Sequence, residues 1–225
     1  MPSCSDQTST RTETILLFSI LIIYFFIFYP LAQVYFKDKP NFYNNWNLIY
    51  FFITLILLFI TGKINISKIG LTKTKFSNIL LGLVLGVVPI ISVVVLDALI
   101  VKSGLSEKDL FAGAELRETV NSSIKTLLIQ GVFKPVITMI FITGYVLNTL
   151  IKKNNLAIPG NGILYSSMNF SLGIGYLGFG IIAAGLARFT GSLIPAILFS
   201  IGCALAKYLI LTNYPRIITI MVFLM

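Results

Sequence analysis

The chain has 225 residues, of which 56% are hydrophobic and only 11% are charged, and its mean hydropathy is +0.92. Soluble globular domains carry about 25% charged residues, so this composition excludes an ordinary soluble enzyme or binding domain. The net charge of +9 is typical of some nucleic-acid-binding proteins, but no basic patch lies in a polar folded segment, so we expect no nucleic-acid partner.

The N-terminal part begins with the polar segment MPSCSDQTSTRTET, and we interpret residues 1–14 as a mobile tail. The apolar run Ile15–Phe36 is the first predicted membrane span, with a kink expected at Pro30. A second span is predicted at Leu48–Ile60. We therefore assign residues 15–68 to a region with two N-terminal transmembrane helices.

The loop TGKINISKIGLTKTKFSN follows the second span and contains Lys63, Lys68, Lys73 and Lys75. Because Lys and Arg are enriched in cytoplasmic loops, we expect this loop and the N-terminus on the cytoplasmic side. Contact with anionic lipids is part of the same effect. The sequence thus predicts an integral protein of the plasma membrane or another energy-transducing inner membrane, surrounded by membrane lipids.

The third predicted span, Ile79–Val101, carries Gly82 and Gly86 four residues apart, a spacing that lets another helix approach closely. Asp97 lies near its end, and we expect its side chain to reach the membrane interface. The acid-rich loop that follows, residues 102–123, is predicted to lie on the side of the membrane opposite the cytoplasm.

The rest of the chain is predicted to contain further apolar spans, the last of which reaches the C-terminus. Together they predict an all-α, polytopic transmembrane helical bundle with seven or eight spans. These further spans are Ile124–Leu150, Ile163–Ile174, Tyr176–Phe189, Leu193–Leu211 and Ile217–Met225.

The segment FKPVITMIFITGYVLNTLIKK resembles the first motif region of the CPBP family, which includes CAAX prenyl endopeptidases and bacteriocin-processing membrane proteins. In that family two adjacent glutamates are followed, four residues after the second, by an arginine that precedes a glycine. With Gly144 as this glycine, Thr138 and Met139 stand at the glutamate positions and Thr143 stands at the arginine position.

Two later segments resemble the remaining family motifs. In ILYSSMNFSLGI, Phe170 matches a family phenylalanine and Ile174 stands where the family has histidine. In GLARFTGSLIPAILFSIGCAL, Phe199 and Cys203 stand at the positions of a histidine and an asparagine. The resemblance covers residues 69–211, and we assign residues 69–225 to a CPBP-like helical core.

The resemblance implies that the chain has the fold of the CPBP family but lacks its catalytic residues. The family uses its paired glutamates to activate water, and Thr, Met, Ile and Phe cannot act as a general base. The chain also contains no histidine. We therefore expect no catalytic residue, no metal and no cofactor. The seven motif positions are expected to line one pocket: Thr138, Met139, Thr143, Phe170, Ile174, Phe199 and Cys203.

The leading hypothesis is a pseudoenzyme that acts as a non-catalytic binding, scaffold or regulatory protein. Its candidate partners are another membrane protein or a lipidated, prenyl-like ligand. One alternative is a divergent CPBP-type endopeptidase in which at least two carboxylates, from Asp97, Glu115 or Glu118, meet in a hydrated cavity. A second alternative is a small membrane transport or assembly subunit, for which the glycine-rich segment GIGYLGFGIIAAG is the candidate site.

Overall fold

The structure is a computed structural model that describes residues 4–39, 42, 45–104, 124–150, 156–169, 174–214 and 217. These residues form helices and short connections, with no strand among them, which confirms the predicted all-α class. The acid-rich loop with Glu115 and Glu118, the motif residue Phe170 and most of the predicted last span lie outside the described residues.

The described chain forms seven continuous helices, which we number α1 to α7. Two of them contain π-helical segments: α1 consists of Cys4–Ile22, π-helical Ile23–Phe28 and Tyr29–Tyr35, and α4 consists of Ile124–Leu128, π-helical Ile129–Phe133, Lys134–Met139, π-helical Ile140–Leu147 and Asn148–Leu150. The other five are α2 at Trp46–Ile60, α3 at Phe76–Lys102, α5 at Ala157–Met168, α6 at Ile174–Thr190 and α7 at Ile194–Asn213.

Two of the π-helical segments precede a proline within a few residues. Pro30 follows the segment Ile23–Phe28, and Pro135 follows the segment Ile129–Phe133. Proline has no N–H to donate to the carbonyl four residues earlier, and its ring clashes with that carbonyl. Widening the preceding turn relieves both problems, so the expected disturbance at Pro30 takes the form of a π-helical turn within a continuous helix.

Four helices of the described chain are long and apolar enough to cross a membrane, namely Thr12–Tyr35, Phe76–Lys102, Ile124–Leu150 and Ile194–Asn213. Two further helices, Trp46–Ile60 and Gly175–Thr190, are apolar but shorter. The hydrocarbon core of a bilayer requires about 20 apolar residues of helix. These helices indicate a membrane protein, as the composition predicts, whereas the predicted seven or eight spans stay a prediction.

The chain is divided into two compact units. Unit 1 contains Met1–Lys73 and Ile137–Leu193, and unit 2 contains Thr74–Val136 and Ile194–Met225. Helix α4 contributes its first part to unit 2 and its second part to unit 1. The sequence divides the chain differently, into a tail at residues 1–14, two transmembrane helices at residues 15–68 and a CPBP-like core at residues 69–225. The two compact units do not test that division, which stays a prediction.

Unit 2 is built on a close contact between the backbones of α3 and α7. A Cβ atom added at Gly82 would lie 2.6 Å from the Cα atom of Pro195, and one added at Gly86 would lie 2.8 Å from the carbonyl oxygen of Leu198. A Cβ at Gly202 would collide with the backbone of Gly86. This confirms the close helix approach predicted from the spacing of Gly82 and Gly86.

Unit 1 is held together by a cluster of aromatic side chains. The ring of Phe51 on α2 stacks on Phe141 of α4, with centroids 4.4 Å apart, and on Tyr24 of α1 at 5.4 Å. The hydroxyl of Tyr24 donates a hydrogen bond to the carbonyl of Met168 at the end of α5, at 2.6 Å. Aromatic stacking and this hydrogen bond therefore connect four helices of the unit.

We predict that Gly202→Ala destabilises unit 2 by about 1–3 kcal/mol, because the new methyl group meets backbone atoms that cannot rotate away. The matched control is Gly185→Ala on α6, where an added Cβ has no neighbour within 4 Å. The control should be neutral or stabilise the helix by up to about 1 kcal/mol. SDS-induced unfolding in mixed micelles measures both changes, and equal stabilities of the two variants would contradict this packing.

Candidate functional site

Three motif positions lie on α4 and are buried inside unit 1. Thr138 and Met139 end the α-helical stretch Lys134–Met139, and Thr143 lies in the following π-helical segment. Met139 has no exposed surface, and Thr143 is only 2% exposed. The three positions at which the resemblance to the CPBP family implies ionisable side chains therefore hold buried, uncharged side chains.

Thr143 belongs to a buried group that we call the Asn161 cluster, which consists of Thr143, Asn161 and the Gly180 carbonyl. The hydroxyl of Thr143 donates to Oδ1 of Asn161 at 3.2 Å, and Nδ2 of Asn161 donates to the Gly180 carbonyl at 2.7 Å. Asn161 has no exposed surface. One amide side chain thus joins α4, α5 and α6, which satisfies polar atoms that are out of reach of water.

The close approach of α6 to the Asn161 cluster depends on glycine. A Cβ atom added at Gly180 would lie 2.7 Å from the carbonyl oxygen of Asn161 and 2.8 Å from the Cα atom of Gly162. Only a residue without a side chain fits between these backbones. The short bond from Asn161 to the Gly180 carbonyl is a direct consequence of this fit.

Met139 is enclosed by the same helices. The hydroxyl of Tyr165 on α5 lies 3.8 Å from Sδ of Met139, within hydrogen-bond range for sulfur. The ring of Tyr165 in turn packs edge-on against Phe179 of α6, with centroids 4.9 Å apart. A thioether is a soft, weakly accepting group, so it fills this interior without requiring charge compensation.

The other four motif positions are Phe170, Ile174, Phe199 and Cys203. Phe170 lies outside the described residues, and Ile174 is the first residue of α6. Phe199 and Cys203 lie four residues apart on α7 in unit 2, where Phe199 is buried and Cys203 is a half-buried free cysteine. The convergence of all seven positions on one pocket stays a prediction.

Asp97 is the one described carboxylate that the endopeptidase alternative requires. It lies on α3 in unit 2, and its side chain is 7% exposed, so it is buried by protein. Its expected location at the membrane interface stays a prediction. An ionisable group in an apolar helix is costly unless it has a partner, and Asp97 does make interactions with its surroundings. Glu115 and Glu118 lie outside the described residues.

Among the described residues, the groups shown around Thr143 offer only hydrogen bonding. A hydroxyl, a carboxamide, a thioether and a phenol can donate or accept hydrogen bonds. None of them is a general base near neutral pH, which the activation of water for amide hydrolysis requires. The group is therefore suited to fixing helix positions and not to transferring protons.

The sequence did not reveal Asn161 and Tyr165 as members of this group. The sequence predicts a span that begins at Ile163, whereas α5 already begins at Ala157. Pro159 stands in the first turn of the helix, where a missing N–H costs nothing because it would have no partner. Once the helix start is moved, Asn161 and Tyr165 are four residues apart and share one face.

Comparison of the chain with protein-family models, with curated proteins and with solved structures finds no match in any of the three. The resemblance to the CPBP family therefore depends on the order and spacing of the three motif segments. The buried positions of Thr138, Met139 and Thr143 are independent of that resemblance, because they follow from the contacts within unit 1.

We predict that Thr143→Val and Asn161→Ala are coupled, because each removes one partner of the same buried hydrogen bond. A double-mutant cycle should give a coupling of about 0.6 kcal/mol, with about 1.7 kcal/mol as the upper value seen for such bonds in membrane proteins. Unfolding by SDS in mixed micelles measures the four stabilities.

The matched control for this cycle is Thr212→Val on α7. The Thr212 hydroxyl donates at 2.9 Å to the carbonyl of Tyr208 in its own helix, four residues earlier, and so joins no second helix. Thr212→Val should show no coupling to Asn161→Ala. Strictly additive effects of Thr143→Val and Asn161→Ala would mean that the bond contributes nothing to the helix packing.

Proposed function

We propose that this chain is a CPBP-like membrane protein that has no peptidase activity and acts by binding or scaffolding other membrane components. In this proposal the chain forms a bundle of seven or eight spans with a CPBP-like core. Its partner is another membrane protein or a lipidated, prenyl-like ligand. It lies in the plasma membrane or another energy-transducing inner membrane, with its N-terminus in the cytoplasm.

One observation carries the proposal. The positions that correspond to the family's paired glutamates hold Thr138 and Met139, and both side chains are buried in unit 1. The position of the family's arginine holds Thr143, whose hydroxyl is bonded to Asn161 at 3.2 Å. Hydrolysis of an amide needs a proton acceptor beside a captured water, and side chains of these types supply hydrogen bonds and packing instead.

The apolar surface of the helices supports a role in binding within the bilayer. On α3 most of the long apolar side chains are exposed, which is typical of a surface that faces lipid or another transmembrane helix. These exposed residues include Leu80, Leu83, Val84, Val87, Val88, Ile91, Val94 and Val95. A helix of this kind offers a contact area for a second membrane protein without any change in the interior.

The first prediction of this proposal concerns peptidase activity. The purified protein in lipid nanodiscs is incubated with a farnesylated CAAX peptide and with a transmembrane peptide, and the products are measured by mass spectrometry. We expect no more cleavage than with empty nanodiscs, because no general base lies at positions 138, 139 and 143. Thr138→Ala should leave this result unchanged.

A true activity would be recognised by its dependence on the motif. Cleavage by the wild-type chain that falls about 100-fold or more in Thr138→Ala would contradict the proposal, since that is the usual contribution of a proton-transferring group. The control variant is Thr212→Ala, whose hydroxyl bonds only within its own helix and which should behave like the wild-type chain in either case. Such a result would favour the divergent endopeptidase.

The second prediction concerns topology. Cys4 and Cys203 are the only cysteines of the chain, so Cys203→Ser leaves a single thiol near the N-terminus. Because the lysine-rich loop is expected on the cytoplasmic side, Cys4 should react with a membrane-impermeant maleimide only after the cells are permeabilised. Labelling of Cys4 in intact cells would contradict the proposed orientation. The variant that carries both Cys4→Ser and Cys203→Ser has no thiol and gives the background signal.

A further inference from the structure

The loop after α2 is a folded element of unit 1, and we call its residues 61–73 the basic platform. The end of its backbone is fixed by the segment that precedes α7: the Leu193 N–H donates to the carbonyl of Gly70 at 2.8 Å, and the Ser192 hydroxyl donates to the carbonyl of Thr72 at 2.9 Å. Ile64 and Ile69 are buried beneath it. The platform is therefore held in one shape and can present its lysines at fixed positions.

The charge of the basic platform is one-sided. Lys63, Lys68 and Lys73 are exposed, and Lys68 forms an ion pair with Glu13, with Nζ and Oε1 3.1 Å apart. Within the described part of the chain, Lys63 and Lys73 make no ion pair. The platform itself contains no acidic residue, so it carries more positive charge than Glu13 balances.

The surface of the platform combines apolar and polar side chains. A shallow groove that is widely open to solvent is lined by apolar residues, among them Phe59, Ile66 and Leu71, together with polar residues, among them Ser67 and Lys73. Ile66 is 60% exposed and Phe59 is 43% exposed. Phe59 belongs to the last turn of the apolar helix α2, so the groove begins where that helix ends.

A separate cavity on the platform is too small for anything but water. It has a volume of about 30 Å³ and is lined by Glu13, Lys63 and Lys68 together with apolar residues and Tyr145. A cavity of this size holds one or two water molecules. The open groove is therefore the part of the platform that can receive a larger group.

We propose that the basic platform binds the headgroup of an anionic phospholipid in this groove. Lys73 and the Ser67 hydroxyl meet the phosphate, Lys63 adds to the positive field, and Phe59 and Ile66 contact the upper part of the acyl chains. A soluble anion would leave the apolar lining residues of the groove exposed, which is why the occupant is a lipid. The proposal depends on the membrane location of the chain and not on the absence of peptidase activity.

The test measures lipid binding to the full-length protein in a non-ionic detergent by native mass spectrometry. The probes are a short-chain phosphatidylglycerol and the phosphatidylcholine of the same chain length. We expect phosphatidylglycerol to bind more tightly. Because a lysine near an anionic surface contributes about fivefold to affinity, Lys63→Gln and Lys73→Gln should each weaken phosphatidylglycerol binding by about that factor. Neither should change phosphatidylcholine binding.

Two further variants sharpen the test. Glu13→Gln releases Lys68 from its ion pair and should strengthen phosphatidylglycerol binding, a gain that a damaged fold would not produce. The matched control is Lys37→Gln, an exposed lysine that follows α1 and does not line the groove, and it should behave like the wild-type chain.

Three results would overturn the proposal. The first is equal affinity of the wild-type chain for the two lipids. The second is an equal loss in Lys73→Gln and Lys37→Gln. The third is full competition by soluble glycerol phosphate, which would mean that the groove recognises a free anion rather than a lipid. All three are measured without any peptide substrate, so they are distinguishable from a failure of the peptidase prediction.

Discussion

A polar group that is removed from water must find its partner inside the protein, and the structure of this chain depends on that requirement. An unpaired amide or hydroxyl in an apolar interior costs about 1–3 kcal/mol judged by protein variants. The cost is avoided here by short internal bonds. The hydroxyls of Tyr24 and Tyr50 donate to the carbonyls of Met168 and Ile20 at 2.6 and 2.7 Å, and the amide of Asn161 bonds on both of its ends.

The same requirement explains how several serines and threonines of the helices are compatible with an apolar environment. Ser92, Thr149 and Thr212 each donate to the carbonyl four residues earlier in their own helix. Such a bond reduces the cost of placing the hydroxyl in an apolar environment, but it adds no contact between helices. Thr143 differs from them, because its hydroxyl reaches a second helix, and for that reason it specifies the relative positions of α4 and α5.

Much of the helical architecture was predictable from the sequence, because a long apolar run has few other stable forms in a membrane. The predicted span Ile79–Val101 lies within α3, and the predicted span Ile124–Leu150 coincides with α4 in full. The close helix approach at Gly82 and Gly86 was predictable as well, since glycine spacing limits how near two backbones can come. These features depend on local sequence alone.

The candidate site was predictable only in part, because it depends on contacts between distant residues. The motif predicts a site at Thr138, Met139 and Thr143, and these three side chains are buried on one helix. The sequence does not predict their partners Asn161 and Tyr165, because a proline and two glycines, Pro159, Gly160 and Gly162, are typical of a turn. Here the proline occupies a first helical turn and Gly162 lies against a neighbouring backbone, so tertiary packing reversed the local preference.

The placement of charge separates the inside of unit 1 from its rim. Around Thr143 the described partners are hydroxyl, amide, thioether and phenol groups, whereas the lysines of the basic platform lie in a loop fixed by backbone hydrogen bonds. A charge is cheap where it can reach water or a lipid phosphate, and it is costly where it cannot. Two glutamates at positions 138 and 139 would each need a partner or bound water in an interior that Met139 fills by packing. The neutral side chains in the interior therefore avoid a folding cost that ionisable groups would bring, and the charged side chains of the basic platform lie at the rim, where water can reach them.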